Sequence, residues 1–193
     1  MVGRKSLDAS IRLYALQNVF VAALAFVLAD GSVHLLAAGA LLLVVKGILI
    51  PWYLLALLER LDVSHEIESY LPVAPSLLAS GLLVALAYRV GQGFVLAGAL
   101  MPEAVPVALA LLLLGMLIMS TRKKAVTQVI GFLALENGVF LLALAESHGL
   151  PLFIELGIAI DTFAAVVLAG ILMFRLKSTF GHVDTSRMRD LRG

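Results

Sequence analysis

The sequence predicts an all-α integral membrane protein with about six transmembrane helices, on the strength of three features. Of its 193 residues 62% are hydrophobic and 14% charged, with a mean hydropathy of +1.05. A water-soluble chain of this length needs more polar side chains to cover its surface. Apolar runs of about 18 or more residues recur along the chain, so lipid is its solvent. Basic residues, finally, cluster at one set of run ends.

The predicted spans are Ile11–Leu28, His34–Leu58, Ala74–Val90, Pro106–Ser120, Ala125–Ala145 and Leu150–Leu176. At about 1.5 Å per residue, most of them cross a ~30 Å hydrocarbon core. The second contains Pro51, which removes one backbone hydrogen bond and should kink it, with Trp52 as an interfacial anchor. The fourth is short, and Val95–Val105 reads as an irregular or re-entrant lead-in. A seventh segment at Phe94–Met101 is too short to span alone. The chain reads as one transmembrane domain, 1–193, with a cytoplasmic tail over 178–193.

Six spans put both termini on one side. Arg4, Lys5, Arg12, Arg60, Arg122, Lys123, Lys124, Arg175, Lys177, Arg187, Arg189 and Arg192 then share that side. Arg89 lies opposite, and Lys46 lies within a span. The positive-inside rule makes the majority side cytoplasmic, so the expectation is a multi-pass protein of the cell membrane with both termini in the cytoplasm. Adding or dropping one helix would scatter the pattern.

Composition also excludes. No basic tract interleaves with aromatics, so no nucleic-acid partner is expected. Cysteine is absent, which removes disulfides and thiolate-bound metals or clusters from this chain. His34, His65, His148 and His182 fall at span ends or in loops, where none can ligate a haem inside the bilayer. No Walker, GxGxxG, GxSxG or HExxH motif occurs. The expectation is a chain without catalytic residues, metal or cofactor of its own.

Three charges sit at mid-membrane depth. Lys46 lies about twelve residues into the second span, and Glu136 and Asp161 about eleven into the fifth and sixth. An ionised side chain there costs at least ~2.5–3.5 kcal/mol, so it persists where it meets a partner charge, a protein interior or a water-filled path. These three are the candidate proton-relay residues. Each has a plainer reading too. Glu136 with Asn137 reads as interhelical hydrogen-bonding glue, and Lys46 as the counterion of a carboxylate. Glu155 is a secondary candidate; it lies six residues before Asp161, about 240° around the helix, and near the span end. Gln17 and Asn18 read as packing glue in the first span.

A weak internal repeat is also visible. YALQNVFVAALAF in the first span aligns with LALENGVFLLALA in the fifth. Each is followed by a short polar loop and a span with one mid-membrane charge, so residues 11–60 read as a first helix-pair repeat of parallel type. Gln17 and Lys46 in the first copy then stand where the second carries Glu136 and Asp161.

The stretch GFLALENGVFLLAL, followed by PLFIELGIAIDTFAAVVLAGILMFRLKSTFGHVDTSRMRDLRG, resembles the hydrogenase-4 component E family. YALQNVFVA and VVKGILIPWYLL resemble the opening spans of that family more weakly. Its members are membrane-arm subunits of group 4 nickel–iron hydrogenases and formate hydrogenlyase-type complexes. Residues 106–177 are also similar to the K-type subunit of respiratory complex I. There, two carboxylates on successive spans belong to a proton-carrying hydrophilic axis; Glu136 matches the first and Asp161 the second, with Asp in place of Glu.

The resemblance implies a non-catalytic, proton-translocating accessory subunit of an oxidoreductase complex. Its implied partners are antiporter-like and complex I-like membrane subunits, together with peripheral nickel–iron hydrogenase and iron–sulfur subunits. The competing readings are a subunit of a multisubunit cation/proton antiporter and a purely structural membrane adaptor.

Overall fold

A computed structural model describes residues 7–61, 69–93, 101–146 and 152–180. Seven α-helices run in chain order: α1 (Leu7–Leu28), α2 (Val33–Leu42), α3 (Ile50–Leu61), α4 (Val73–Gly91), α5 (Ala104–Thr121), α6 (Ala125–Glu146) and α7 (Leu152–Phe180). A π-helical turn, Leu43–Leu49, joins α2 to α3, and the three together make one continuous span. Among the described residues, five segments are long and apolar enough to cross a membrane: Leu7–Leu28, Leu35–Arg60, Val73–Gly91, Ala104–Thr121 and Ala125–Ala145. With 29 residues, or ~44 Å, α7 has the length for a sixth crossing. The protein is an all-α membrane protein.

Each predicted span has its helix, with ends moved by a few residues. The largest shifts are four residues, at the start of α1, which begins at Leu7, and at the end of α7, which continues to Phe180 and takes in the first three residues of the expected tail. The predicted segment at Phe94–Met101 lies outside the described residues except for Met101. So do residues 181–193 of the tail and the loop histidines His65, His148 and His182.

Hydrogen bonds between connections fix which helix ends lie together. The Tyr70 amide donates to the Thr121 carbonyl at 2.9 Å, and Ser69 pairs with Arg122 in an isolated backbone bridge. The connection before α4 and the α5–α6 turn therefore share one end of the molecule. At the other end the Met101 amide donates to the Ala145 carbonyl at 3.1 Å, tying the start of α5 to the end of α6.

Two packing regions result. In the first, α1, the α2–α3 span, α6 and α7 surround a core of Leu7, Ile11, Tyr14, Ile50, Leu54, Leu58, Val126, Ile130, Leu133 and Val166. On α1 the buried residues Leu7, Ile11, Tyr14, Asn18, Val21 and Ala25 recur every three or four positions, so one stripe faces inward. Smaller clusters close the opposite half, one of Ala25, Ala29, Leu35 and Leu144, the other of Val21, Ala22 and Leu42.

In the second region, α5 forms a close hairpin with α6, and α4 packs on the outer side of α5. A Cβ added at Gly115 would come within 2.7 Å of the Gly131 carbonyl oxygen, and one at Gly138 within 2.9 Å of that of Ala108. Only hydrogen fits along this seam. Where lipid supplies no hydrophobic drive between helices, such backbone approach is what holds them together. The outer helix α4 leaves Leu78 and Leu82 more than 70% exposed, as a helix bordered by lipid or a partner should.

Candidate functional site

The polar site lies in the middle of the first region, between its apolar clusters. Lys46 belongs to the π-helical turn, where the Ile50 amide bonds to the Val45 carbonyl five residues back. Pro51 follows at once and has no N–H with which to continue an α-helical ladder. Immediately before Pro51, where the sequence predicts a kink, the helix carries a widened turn. Such a turn carries an extra residue and re-aims the side chains it bears.

Here the turn packs against both α1 and α7, and Lys46 points inward, 4% exposed. Its Nζ lies 2.7 Å from Oε1 of Glu136, whose side chain is 12% exposed. The Thr162 hydroxyl, from α7, donates a hydrogen bond to the same carboxylate oxygen. Three spans therefore meet at one carboxylate.

Further polar groups surround this centre. Tyr14 on α1 is fully buried and lies within electrostatic reach of Glu136, with the Asn18 side chain beside it. Asn18, fully buried one turn along α1, donates from Nδ2 to the Tyr14 carbonyl at 2.8 Å while its Oδ1 stays unpartnered. Neither Glu136 Oε2 nor either amide atom of fully buried Asn137 has a partner. Buried polar atoms with spare bonding capacity are rare in a folded protein; those of Gln17 and Thr127 lie elsewhere on α1 and α6, while Asn18, Glu136 and Asn137 carry four of them. They can take up small hydrogen-bonding species such as water.

The expected relay set divides. Lys46 and Glu136 come together as an ion pair, the counterion reading of Lys46. Asp161 does not join them. Its neighbour Thr162 faces Glu136, and Asp161 lies exposed on the outer side of α7, ~100° around the helix. Gln17 is half-buried in the groove between α1 and the α5–α6 hairpin, away from the pair. Its Nε2 is buried there without a partner. The Glu155 side chain lies outside the described residues.

Tyr14 and Thr162 were missed in the sequence. Hydroxyls carry no charge to stand out in an apolar run, although the one-residue offset between Asp161 and Thr162 is readable once the facing side of α7 is known. Among the described residues no group of three or more His, Asp or Glu is placed to hold a metal ion.

No family model and no solved structure matches the chain. An uncharacterized protein of Mycobacterium tuberculosis, Rv0085, is 34% identical over 196 residues, spanning 100% of this chain and 89% of the relative. Hydrogenase-4 component E of Escherichia coli K12 is 27% identical over 198 residues, spanning 100% of this chain and 91% of that protein. Component E of Shigella flexneri matches to the same extent. The similarity runs through both packing regions, beyond the C-terminal stretch that is most specific in sequence. The chain belongs to the family of the Mycobacterium tuberculosis protein, with hydrogenase-4 component E as a more distant full-length relative.

Proposed function

We propose that this chain is a non-catalytic subunit in the membrane arm of a hydrogenase-like complex, and that Lys46 and Glu136 form a proton-handling pair within it. The observation that carries this reading is the buried Lys46–Glu136 ion pair, set on a π-helical turn and ringed by polar atoms with spare hydrogen-bonding capacity. Taking two charges out of water is costly, and structural stability alone is served as well by apolar residues. A pair retained at this depth fits a group whose protonation changes during work.

Apolar clusters flank the pair along the bundle axis on both sides. A proton therefore travels laterally, across the membrane plane, between this chain and its neighbours. Asp161 supplies the outward side of that route. An exposed carboxylate at mid-membrane depth has no favourable surroundings in lipid, so a neighbouring subunit covers α7 there. The peripheral hydrogenase and iron–sulfur partners hold the redox centres, and the base-rich end faces the cytoplasm.

The test begins with an affinity tag on this chain in its native host. Co-purification of a nickel–iron hydrogenase large subunit is expected, and a stable assembly without any redox subunit would contradict the reading. Hydrogen-dependent proton movement is then followed in membrane vesicles. Glu136→Gln should abolish it while the complex stays assembled.

A further inference from the structure

We infer that the groove between α3 and α7 at the base-rich end is a binding site for an anionic phospholipid, its phosphate held by Arg60 and Arg175. The groove has a volume of about 740 Å³ and is open to the outside of the bundle. That is within the range of specific small-molecule sites, ~300–1,000 Å³. Arg60 and Arg175 line one end, and Trp52, Tyr53, Gly170 and Phe174 line the rest. Both arginines are exposed, and among the described residues no carboxylate forms an ion pair with Arg60.

Depth matches the ligand. Arg60 ends the Leu35–Arg60 span, at the level of the headgroups. Trp52 lies eight residues back, ~12 Å further into the hydrocarbon and so deeper than the interfacial anchor expected from the sequence. A lipid placed with its phosphate between the two guanidiniums therefore lays an acyl chain along an apolar and aromatic wall. Basic pockets between transmembrane helices on the cytoplasmic side recognise anionic headgroups in this way, and guanidinium groups suit phosphate by forming paired hydrogen bonds.

The groove is also built in. The Tyr53 hydroxyl donates to the Val167 carbonyl at 3.4 Å, passing over Gly170, where an added Cβ would collide with the Tyr53 hydroxyl. That contact fixes the floor on which the lipid rests. Two cations over an apolar slot at headgroup depth favour a lipid over a protein segment, which would need acidic residues at that same level.

The full chain, placed in nanodiscs of equal parts phosphatidylglycerol and phosphatidylcholine, tests this by native mass spectrometry of the released protein. Phosphatidylglycerol should be retained in preference, and Arg60→Gln and Arg175→Gln should each weaken that preference by about fivefold. Arg89→Gln, at the opposite end of the molecule, should leave it unchanged, and Arg60→Lys with Arg175→Lys, which keeps the charges but not the paired hydrogen bonds, should keep part of it. Equal retention of the two lipids overturns the proposal, as does an equal loss in Arg89→Gln. Displacement of the bound lipid by inorganic phosphate alone also overturns it, because the acyl wall would then contribute nothing. A variant that misfolds loses both lipids together, and the lysine pair then carries the test. None of these outcomes depends on the hydrogenase reading.

Discussion

Glu136 and Asp161 are two carboxylates level with one another on neighbouring helices, and the fold treats them oppositely. Glu136 is enclosed by α1, the π-helical turn and α7, and meets an ammonium group and a hydroxyl. Asp161 lies on the far side of α7 with Ile160, Leu168 and Ile171 exposed along the same helix. Depth alone does not define a site. Azimuth does, and a rotation of one residue separates a carboxylate held inside the subunit from one offered to a neighbour.

The sharpest way to break this contrast is to remove one partner of the enclosed pair. Lys46→Met leaves a buried carboxylate without its cation and should destabilise the isolated chain by about 3–5 kcal/mol. Glu136→Leu should cost a similar amount, and the double variant should recover most of it in a double-mutant unfolding cycle.

Next in size is the glycine seam that holds the α5–α6 hairpin and so sets where Glu136 stands. Gly138→Val forces a side chain against the Ala108 carbonyl and should cost about 1–3 kcal/mol in the same unfolding assay. Thr162→Val removes a hydrogen bond to a charged oxygen, and about 1.5–3 kcal/mol is expected.

Asp161→Asn should not destabilise the isolated chain, because it removes a charge from the outward side of α7 rather than from the enclosed pair. Its effect should appear only in the assembled complex, as slower proton movement or looser attachment of the neighbouring subunit. Equal destabilisation by Asp161→Asn and Glu136→Gln in the isolated chain would erase the distinction between the two acids.

What could be read from the sequence divides along the same line. The helical spans and their approximate ends follow from hydropathy, which is a property of position along the membrane normal, and so does the expectation that Lys46, Glu136 and Asp161 share a level. The facing of each helix does not. Around Glu136 and Asp161 the only polar neighbours in sequence, Asn137 and Thr162, are adjacent to the acids rather than spaced along one face, so no polar stripe marks the side that turns inward. Asp161 could therefore be placed level with Glu136 but not turned toward it or away.

The π-helical turn was hidden for a related reason. Pro51 announces a disturbance in the second span, yet the shift from four- to five-residue hydrogen bonding before it leaves no mark on an unbroken apolar run. Gly115, Gly131 and Gly138 were equally silent, since their spacing crosses two helices and only the packed hairpin relates them.

The central claim is that the Lys46–Glu136 pair works on protons rather than holding helices together. The Lys46→Leu/Glu136→Leu double variant separates the two, because a well-packed apolar pair can replace a buried ion pair with little loss of stability. In membrane vesicles carrying the assembled complex, hydrogen-dependent proton movement should disappear while subunit composition and hydrogen oxidation with an artificial acceptor persist. Proton movement at the wild-type rate in that variant would contradict the account and leave the pair as structural glue.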